Sequence, residues 1–166
     1  GGSRFDVTVG PAFGFPSATN DALGTGKWLV GPEVGGAASI GMFLGGALVR
    51  NLWSFAGDPG RADSNRLFIE TFFFFNLPRL WYVVSEPQIT ADWGNSDGHR
   101  WTVPVGGGLG KSFFFPDVSW LGLTMRAQAF YNVVRPDNLA RGEIAPAWSV
   151  RFNLVFFHPN PLVFDW

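Results

Sequence analysis

The sequence predicts an all-β fold: an eight-stranded antiparallel transmembrane β-barrel of the outer-membrane type, with meander topology. Three observations lead to this prediction. Apolar and polar residues alternate with a period of two along much of the chain. Aromatic residues make up 17% of the sequence and charged residues only 15%, against about 25% charged residues in an ordinary soluble domain. Long and short connections largely alternate between the strands, as they do in outer-membrane barrels.

Composition limits the classes of protein further. The chain has 166 residues and no Pro/Ser-rich linker, which predicts a single domain at residues 1–166. No segment holds the roughly 20 consecutive apolar residues of a membrane-spanning helix, so strands must make any membrane crossing. The net charge is −1 without a basic cluster, which argues against nucleic-acid binding. There are no cysteines, so disulfides and thiol chemistry are excluded.

The strands are expected in the following order along the chain. They lie at residues 4–13, 27–36, 41–55, 66–76, 81–93, 100–111, 120–134 and 148–158, followed by a C-terminal tail at 159–166. The first three are rich in glycine, and their sequences leave open which side chains face which side. The last strand alternates most cleanly, with Trp148, Val150 and Phe152 opposite Ser149 and Arg151. The apolar side is expected to face lipid and the polar side the barrel interior.

The four consecutive phenylalanines of the fourth strand divide between its two faces. Alternation assigns Phe73 and Phe75 to lipid, and it places Phe72 and Phe74 in the interior beside Glu70. The segment NLPRL that follows is interpreted as a tight turn on the periplasmic side. The fifth strand then returns with a row of polar residues on its interior face, namely Glu86, Gln88, Thr90 and Asp92.

A glycine-rich segment, GGGLGKS at residues 106–112, lies at the end of the sixth strand. It is similar to a phosphate-binding loop, but the first glycine of that motif would stand at Val105, and no capped helix follows. We interpret it as a row of small residues that leaves interior room for bulky neighbours such as aromatic rings or arginines. The seventh strand again alternates, and its interior residues are Thr124, Arg126, Gln128 and Asn132.

A soluble β-sandwich or lipocalin-like barrel is the main alternative, because its strands also alternate. Such folds turn their polar face to water. Here the polar faces of the last five strands hold few Lys or Glu and many Gly, Thr, Gln and Asn residues. Tryptophans fall near strand ends, where the aromatic girdles of membrane barrels lie. They are Trp28, Trp53, Trp81, Trp93, Trp101, Trp120 and Trp148.

Four charged residues near mid-strand, Glu70, Glu86, Arg126 and Arg151, are all assigned to the interior face. An isolated ion in a narrow, dry interior is costly, so we expect opposite charges to form a paired network. Side chains just fill the interior of an eight-stranded barrel. This favours a structural salt-bridge core that closes the lumen. A charge-selective ring in a larger pore is the alternative.

The connections contain further candidates for external polar sites, namely Asp58, Arg61, Asp63, Asp97, His99 and Arg100. The first three can also pair with one another and stiffen their loop. The segment DWGNSDGH has oxygen ligands near the spacing of a calcium loop, but the first required acid falls on Trp93. It is therefore interpreted as a polar hairpin loop. We expect no metal and no cofactor.

An enzyme is the least favoured class. Small outer-membrane barrels include lipid-modifying enzymes, which need a base, usually His, beside a nucleophilic hydroxyl and a carboxylate. The chain has two histidines. His99 follows Ser96 and Asp97 at a loop tip where nothing excludes water, and His158 lies at the opposite end. No catalytic residue is assigned.

Five segments carry a resemblance to a known family: FGFPSATNDALGTGKWLVGP, NLWSFAGDPGRADSN, RWTVPVGGGLGK, YNVVRPD and WSVRFNLVFF. In this order they resemble the C-terminal two-thirds of a family of bacterial outer-membrane proteins, often labelled transporters or linked to a phenol-degradation pathway. The resemblance extends from about Val9 to Phe157. The tail HPNPLVFDW departs from the family pattern, although a terminal aromatic such as Trp166 resembles the ending that the outer-membrane assembly machinery recognises.

The resemblance implies a transporter or pore for small, hydrophobic compounds in the bacterial outer membrane, whereas the chain length favours a structural or binding barrel with a closed lumen. Because family members are longer at the N-terminus, the chain is either a small self-closed barrel or a piece of a larger one. The eight-stranded barrel is expected to have both termini in the periplasm and the long loops outside. The expected partners are membrane lipids, lipopolysaccharide, the assembly machinery and a small hydrophobic ligand. The oligomeric state stays open.

Overall fold

The chain is almost entirely built from strands. The computed structural model describes residues 3–19, 24–94, 100–115, 121–138, 143–144 and 146–157, with the backbone alone for 137–138 and 143–144. Within these ranges the regular structure is β-strand, apart from one 3-10 turn at Pro78–Leu80. No helix in them has the length and hydropathy that a membrane crossing requires. The predicted all-β class is confirmed.

Neighbours in sequence are neighbours in one antiparallel sheet. The strands are β1 Arg4–Gly14, β2 Lys27–Ile40, β3 Phe43–Gly57, β4 Asn65–Asn76, β5 Trp81–Ser85, β6 Gln88–Asp92, β7 Trp101–Phe114, β8 Gly122–Val134, β9 Asp137–Asn138, β10 Glu143–Ile144 and β11 Trp148–Phe157. The order across the sheet is β1-β2-β3-β4-β5-β7-β8-β11. β6 follows β5 in the same position of the sheet and also pairs with β4 and β7. β9 and β10 form a separate hairpin. The predicted antiparallel meander is confirmed.

The two short turns lie at one end of the sheet, together with the seven-residue connection between β7 and β8, and four other connections lie at the opposite end. The two-residue turn at 41–42 and the 3-10 turn lie at one end, together with the start of β1 and the end of β11. We call this the turn end. Gly41 has a φ of +58°, a left-handed conformation that residues with side chains disfavour. This conformation lets β2 and β3 be joined by a two-residue turn. The connections at 15–26, 58–64, 93–100 and 135–147 lie at the other end, the loop end.

The predicted fifth strand, 81–93, is divided at Glu86 and Pro87, which is a correction to the single strand expected. The pairing register with β4 is the same on both sides of the break. Pro87 has no N–H to donate to a ladder. Glu86 donates its N–H to the side-chain oxygen of Gln128, at 3.0 Å, instead of to a neighbouring strand.

Three other predicted boundaries are wrong. Residues 37–40, expected to be the short connection between the second and third strands, pair with β3, and the turn follows at Gly41. The sixth predicted strand does not end at 111, since β7 continues to Phe114. The connection at 135–147, expected to be free of strands, contains the hairpin of β9 and β10.

Burial on the two faces is reversed relative to a sheet in water. Among the described residues only five apolar or aromatic side chains are buried, whereas 33 large ones are exposed. On β11 the apolar side chains are open along the whole strand, and Phe152 at its middle is 79% exposed. On the opposite face, the polar Gln128 of β8 is 2% exposed. No described element covers the apolar face.

The polar face of the sheet is concave. Arg151 on β11 donates a hydrogen bond of 2.9 Å to the carbonyl of Glu86, although β7 and β8 lie between them. The guanidinium of Arg126 on β8 lies 5.8 Å from the ring of Phe74 on β4, also three strands away. Three strand spacings amount to about 14 Å, which exceeds the reach of an arginine side chain. The sheet must therefore curl toward its polar face.

The described sheet has two edges, β1 and β11. β1 pairs with β2 and β11 with β8, and within the described part of the chain no ladder joins β1 to β11. Most β1 side chains are exposed on both faces. The described strands thus form a curved sheet with both edge strands open.

Candidate functional site

Glu86 is the centre of a first polar cluster on the concave face. Its Oε2 atom accepts a hydrogen bond from Gln128 Nε2 at 2.7 Å and lies 3.3 Å from Arg126 Nε. Its carbonyl accepts the bond from Arg151, and its N–H is held by Gln128. The side chains of Glu86 and Arg126 are 24% and 19% exposed. The break at Pro87 frees the backbone of Glu86 for these side-chain partners.

Glu70 is the centre of a second cluster, formed by β2, β3, β4 and β6. Its Oε1 atom accepts hydrogen bonds from Arg50 at 2.6 Å and from Gln88 at 2.9 Å. Arg50 also lies 3.4 Å from Glu33 Oε2, and its guanidinium is 5.3 Å from the ring centre of Phe68. One arginine is therefore shared by two carboxylates on the two strands that flank its own.

A cavity of about 260 Å³ lies between the two clusters. Its polar wall is made by residues of both, and an apolar part is contributed by Phe72 and Pro87. The polar lining residues are Glu70, Thr71, Glu86, Gln88, Arg126, Arg151 and Asn153. We call it the mid-sheet cavity.

The structure brings the four predicted interior charges together but pairs them only in part as expected. Glu86 meets Arg126. Glu70 pairs with Arg50, which sequence reasoning missed. Arg151 contacts the backbone carbonyl of Glu86 and has no carboxylate within ion-pair distance among the described residues.

Four members of the clusters were not identified from the sequence as site residues, namely Glu33, Arg50, Gln88 and Gln128. Glu33 and Arg50 lie on the glycine-rich β2 and β3, whose facing alternation left open. Residues at equal distances from a two-residue turn lie opposite each other in a hairpin. This rule, applied to the turn at 41–42, would have paired Glu33 with Arg50, as the register does. Gln128 was assigned to the interior, but its uncharged amide gave no sign that it would hold both the side chain and the N–H of Glu86.

An aromatic layer fills the concave face between the mid-sheet cavity and the turn end. The hydroxyl of Tyr82 is 2.8 Å from that of Thr124, and its ring centre is 5.7 Å from that of Phe74. A Cβ atom on Gly110 would overlap the Tyr82 ring. The expectation that the glycine row makes room for an aromatic side chain is confirmed at this position, and the whole GGGLGKS segment lies within β7.

A second cavity, of about 430 Å³, opens at the turn end beyond this layer. Its lining is mainly apolar and includes residues of both turns and of β7 and β11, among them Met42, Leu77, Leu80, Trp81, Phe114 and Phe157. The size falls within the range of pockets that hold small organic ligands.

At the loop end, a buried lysine is held by an exposed carboxylate. Lys27 is 8% exposed, and its Nζ atom donates to Asp63 Oδ1 at 3.0 Å. Ser54 donates to the same oxygen at 3.1 Å. The hydrogen bond from Lys27, followed by that from Ser54 and by the charge of Lys27, lowers the pKa of Asp63 below its ordinary value of 3.8.

The other loop candidates that the structure describes have local structural contacts. Arg61 donates to the carbonyl of Gly24 at 2.6 Å. Asp58 accepts the N–H of Gly60 at 2.8 Å and so stabilises its own turn.

The remaining loop candidates lie around the connection at 93–100. The carbonyl of Arg100 accepts the N–H of Asp92 at 2.9 Å. Asp97 and His99 lie outside the described residues, as does His158. Among the residues that are described, no group of three His, Cys, Asp or Glu side chains could hold a metal ion.

Two bands of aromatic side chains cross the convex, apolar face. The loop-end band contains edge-to-face or tilted pairs, such as Trp93 with Trp101 at 5.9 Å and Tyr131 with Trp148 at 4.8 Å. Its members are Trp28, Trp53, Trp93, Trp101, Tyr131 and Trp148. The turn-end band consists of Phe5, Phe43, Phe73, Phe75, Trp81, Phe113 and Phe156. Aliphatic side chains and Phe152 lie between the bands on the same face.

Comparisons with protein-family models, with curated proteins and with solved structures found no match to this chain.

Proposed function

We propose that the chain crosses the bacterial outer membrane as the wall of a β-barrel, and that its concave face lines a pore for small compounds. One observation carries this proposal. Open apolar side chains cover the convex face, while charged and amide side chains are gathered on the concave face. A convex apolar face of this extent is unfavourable in water. Lipid outside and a polar interior suit both faces.

The spacing of the two aromatic bands supports a bilayer as the surroundings. Trp53 and Phe43 lie about ten residues apart on β3. At roughly 3.3 Å per residue and a strand tilt of about 40°, this separation is roughly 25 Å in height, which equals the apolar band of an outer-membrane barrel. Lys111 supports the same placement, because its Nζ atom lies 4.9 Å from the ring centre of Trp81 within the turn-end band. A lysine beside aromatic rings is typical of a membrane interface.

A bilayer also sets a condition on the open edges. Unpaired strand edges cannot face lipid, because their N–H and carbonyl groups would have no partner there. In the proposed barrel β1 and β11 pair with each other or with further strands. The curvature toward the polar face favours closure in either form.

Single-channel recording tests the pore. The purified chain, refolded into planar lipid bilayers, is expected to give steady openings. Glu86→Gln removes a carboxylate from the wall of the mid-sheet cavity and should shift the current ratio toward anions. Asp58→Asn is the matched control, since it removes a loop charge and keeps an oxygen acceptor for Gly60.

The pore proposal fails if protein that is shown to be inserted stays electrically silent. Insertion is checked by resistance to added protease and by the altered gel mobility that folded barrels show before heating. Equal effects of Glu86→Gln and Asp58→Asn on the ion preference would also contradict a lumen at the concave face.

A closed structural or binding barrel is the second candidate, and the aromatic layer favours it. Tyr82 contacts both Phe74 and Thr124 across the concave face at the side of the turn end. A silent barrel that starts to conduct after Phe74→Ala would identify this layer as the plug. The apolar cavity beyond it would then hold a small hydrophobic ligand without passing it on.

A further inference from the structure

The guanidinium groups of Arg126 and Arg151 share one wall of the mid-sheet cavity with the side chain of Asn153. Arg126 forms an ion pair with Glu86, whose Oε2 atom lies 3.3 Å from its Nε atom, but this buried Nε–H makes no hydrogen bond. Arg151 uses one Nη1–H, given to the carbonyl of Glu86. Within the described residues, the N–H groups of Arg126, the remaining N–H groups of Arg151 and the amide of Asn153 have no hydrogen-bond partner. This wall therefore holds an excess of donors.

The charges around the cavity are unevenly compensated. Arg50 lies between Glu33 and Glu70, so that half of the concave face has two carboxylates for one cation. On the other half, Glu86 forms an ion pair with Arg126, and Arg151 has no ion pair among the described residues. Arg151 is compensated by a carbonyl and by the ring of Phe130, 4.9 Å from its guanidinium carbon. A partly buried cation without a counter-charge is unfavourable. The two halves together are neutral, with three carboxylates and three arginines, but the half that holds Arg126 and Arg151 has one cation more than carboxylates.

We infer that the mid-sheet cavity binds a small organic monocarboxylate, with its carboxylate group on the free N–H groups of Arg126 and Arg151 and its body against Phe72 and Pro87. A planar carboxylate matches the donor fork of a guanidinium. Asn153 supplies a further neutral donor. The volume of about 260 Å³ lies below that of pockets for drug-sized molecules, so the ligand is a short acid.

The inference names a ligand class for the proposed lumen. It rests on the proposed function only because the ligand must reach the mid-sheet cavity from water through that lumen. It does not require conduction. The side of the cavity formed by Arg126 and Arg151 has one cation more than carboxylates, which suits a monoanion at that side, whereas Glu70 and Glu86 in the same lining disfavour a second negative charge. A neutral amide of the same shape would leave that charge unbalanced.

Calorimetric titration of the refolded protein in detergent, in a low-chloride buffer, tests the site with propionate and propionamide. Propionate should give saturable binding, and propionamide should bind at least tenfold more weakly. Arg151→Gln should remove the preference for the acid over the amide. Arg151→Lys keeps the charge but loses the planar fork, and it should show an intermediate preference.

Arg66→Gln is the matched control. Arg66 forms an ion pair with Asp92 at 3.1 Å and does not line the cavity, so the preference should be unchanged. Folding of each variant is checked by circular dichroism and gel mobility before titration. Absence of saturable propionate binding, equal affinities for acid and amide, or an unchanged preference in folded Arg151→Gln would each overturn the inference. Acid binding by an electrically silent barrel would overturn the pore alone, and openings without acid binding would overturn this site alone.

Discussion

Charged side chains on this sheet are held by several partners at once. Glu86 is bound through its carboxylate, its carbonyl and its N–H, and Glu70 receives two donors on one oxygen. Such sharing is expected where water is scarce, because a single unpaired polar group is costly there. These shared hydrogen bonds join the side chains on either side of the mid-sheet cavity to the neighbouring strands.

The lysine at the loop end gives a prediction with a pH dependence. The pKa of Asp63 is lowered in the folded chain, so its ionised form stabilises the fold. That contribution is complete above the unfolded pKa, near 3.8, and is lost as the pH falls through the lowered folded pKa. Asp63→Asn should lower the free energy of unfolding at pH 7, because Lys27 stays buried without its counter-charge. The loss of stability on acidification should also be smaller in the variant.

Urea unfolding followed by tryptophan fluorescence, at several pH values between 7 and 3, measures both effects. Asp6→Asn is the control, since Asp6 and Arg4 form a pair in which both side chains are largely exposed. Such pairs contribute about 0–1 kcal/mol. An equal pH dependence in Asp63→Asn and in the unmodified chain would contradict the assigned role.

At the scale of elements, β7 shows why a strand contains a row of glycines. Cβ atoms on Gly106 and Gly108 would overlap the backbone of β8, and one on Gly110 would overlap the ring of Tyr82. The absence of side chains lets β5 and β8 fill the space in front of β7. A glycine weakens a strand by itself, so the row reflects packing across the concave face.

Gly110→Ala is therefore expected to be destabilising. Displacement of the Tyr82 ring and loss of its contact with Thr124 should cost about 1–3 kcal/mol. Gly10→Ala on β1 is the matched control, since a Cβ there meets nothing within 4 Å. It should be neutral or stabilising by up to about 1 kcal/mol. Unfolding free energies measured side by side decide between these outcomes, and equal values for the two variants would refute the packing role of Gly110.

At the scale of the molecule, the free-energy cost of a charge on the convex face depends on whether lipid or water surrounds that face. Phe152 lies midway between the two aromatic bands, and Phe156 lies in the turn-end band. In a bilayer, Phe152→Arg should cost about 2–4 kcal/mol, and Phe156→Arg at most about 1 kcal/mol. In water, both positions are exposed, and each substitution should lower the free energy of unfolding by about 0.5 kcal/mol or less.

Folding equilibria in lipid vesicles measure this depth dependence. The two variants share the same strand, the same face and the same substitution, so depth is the variable that differs. Equal and small costs for both would contradict a membrane placement of the convex face.

Alternation predicted the faces of the strands from β4 onward, because a period of two fixes the side on which each residue lies. It assigned Phe72 and Phe74 to one side and Phe73 and Phe75 to the other, and the pairing register agrees. It did not predict the division at Pro87, since a single proline is compatible with an edge strand as well as a break. For β2 and β3, the glycines removed the contrast on which alternation depends.

The sequence by itself determined that the chain is all-β, that it forms an antiparallel meander, and that Glu70, Glu86, Arg126 and Arg151 share a face. These properties follow from local periodicity and turn chemistry. Only the tertiary structure decided which groups meet on that face. Glu70 binds Arg50, and Arg151 reaches Glu86 across two intervening strands, because the sheet is curved. Curvature is a property of many strands together, and no short stretch of sequence contains it.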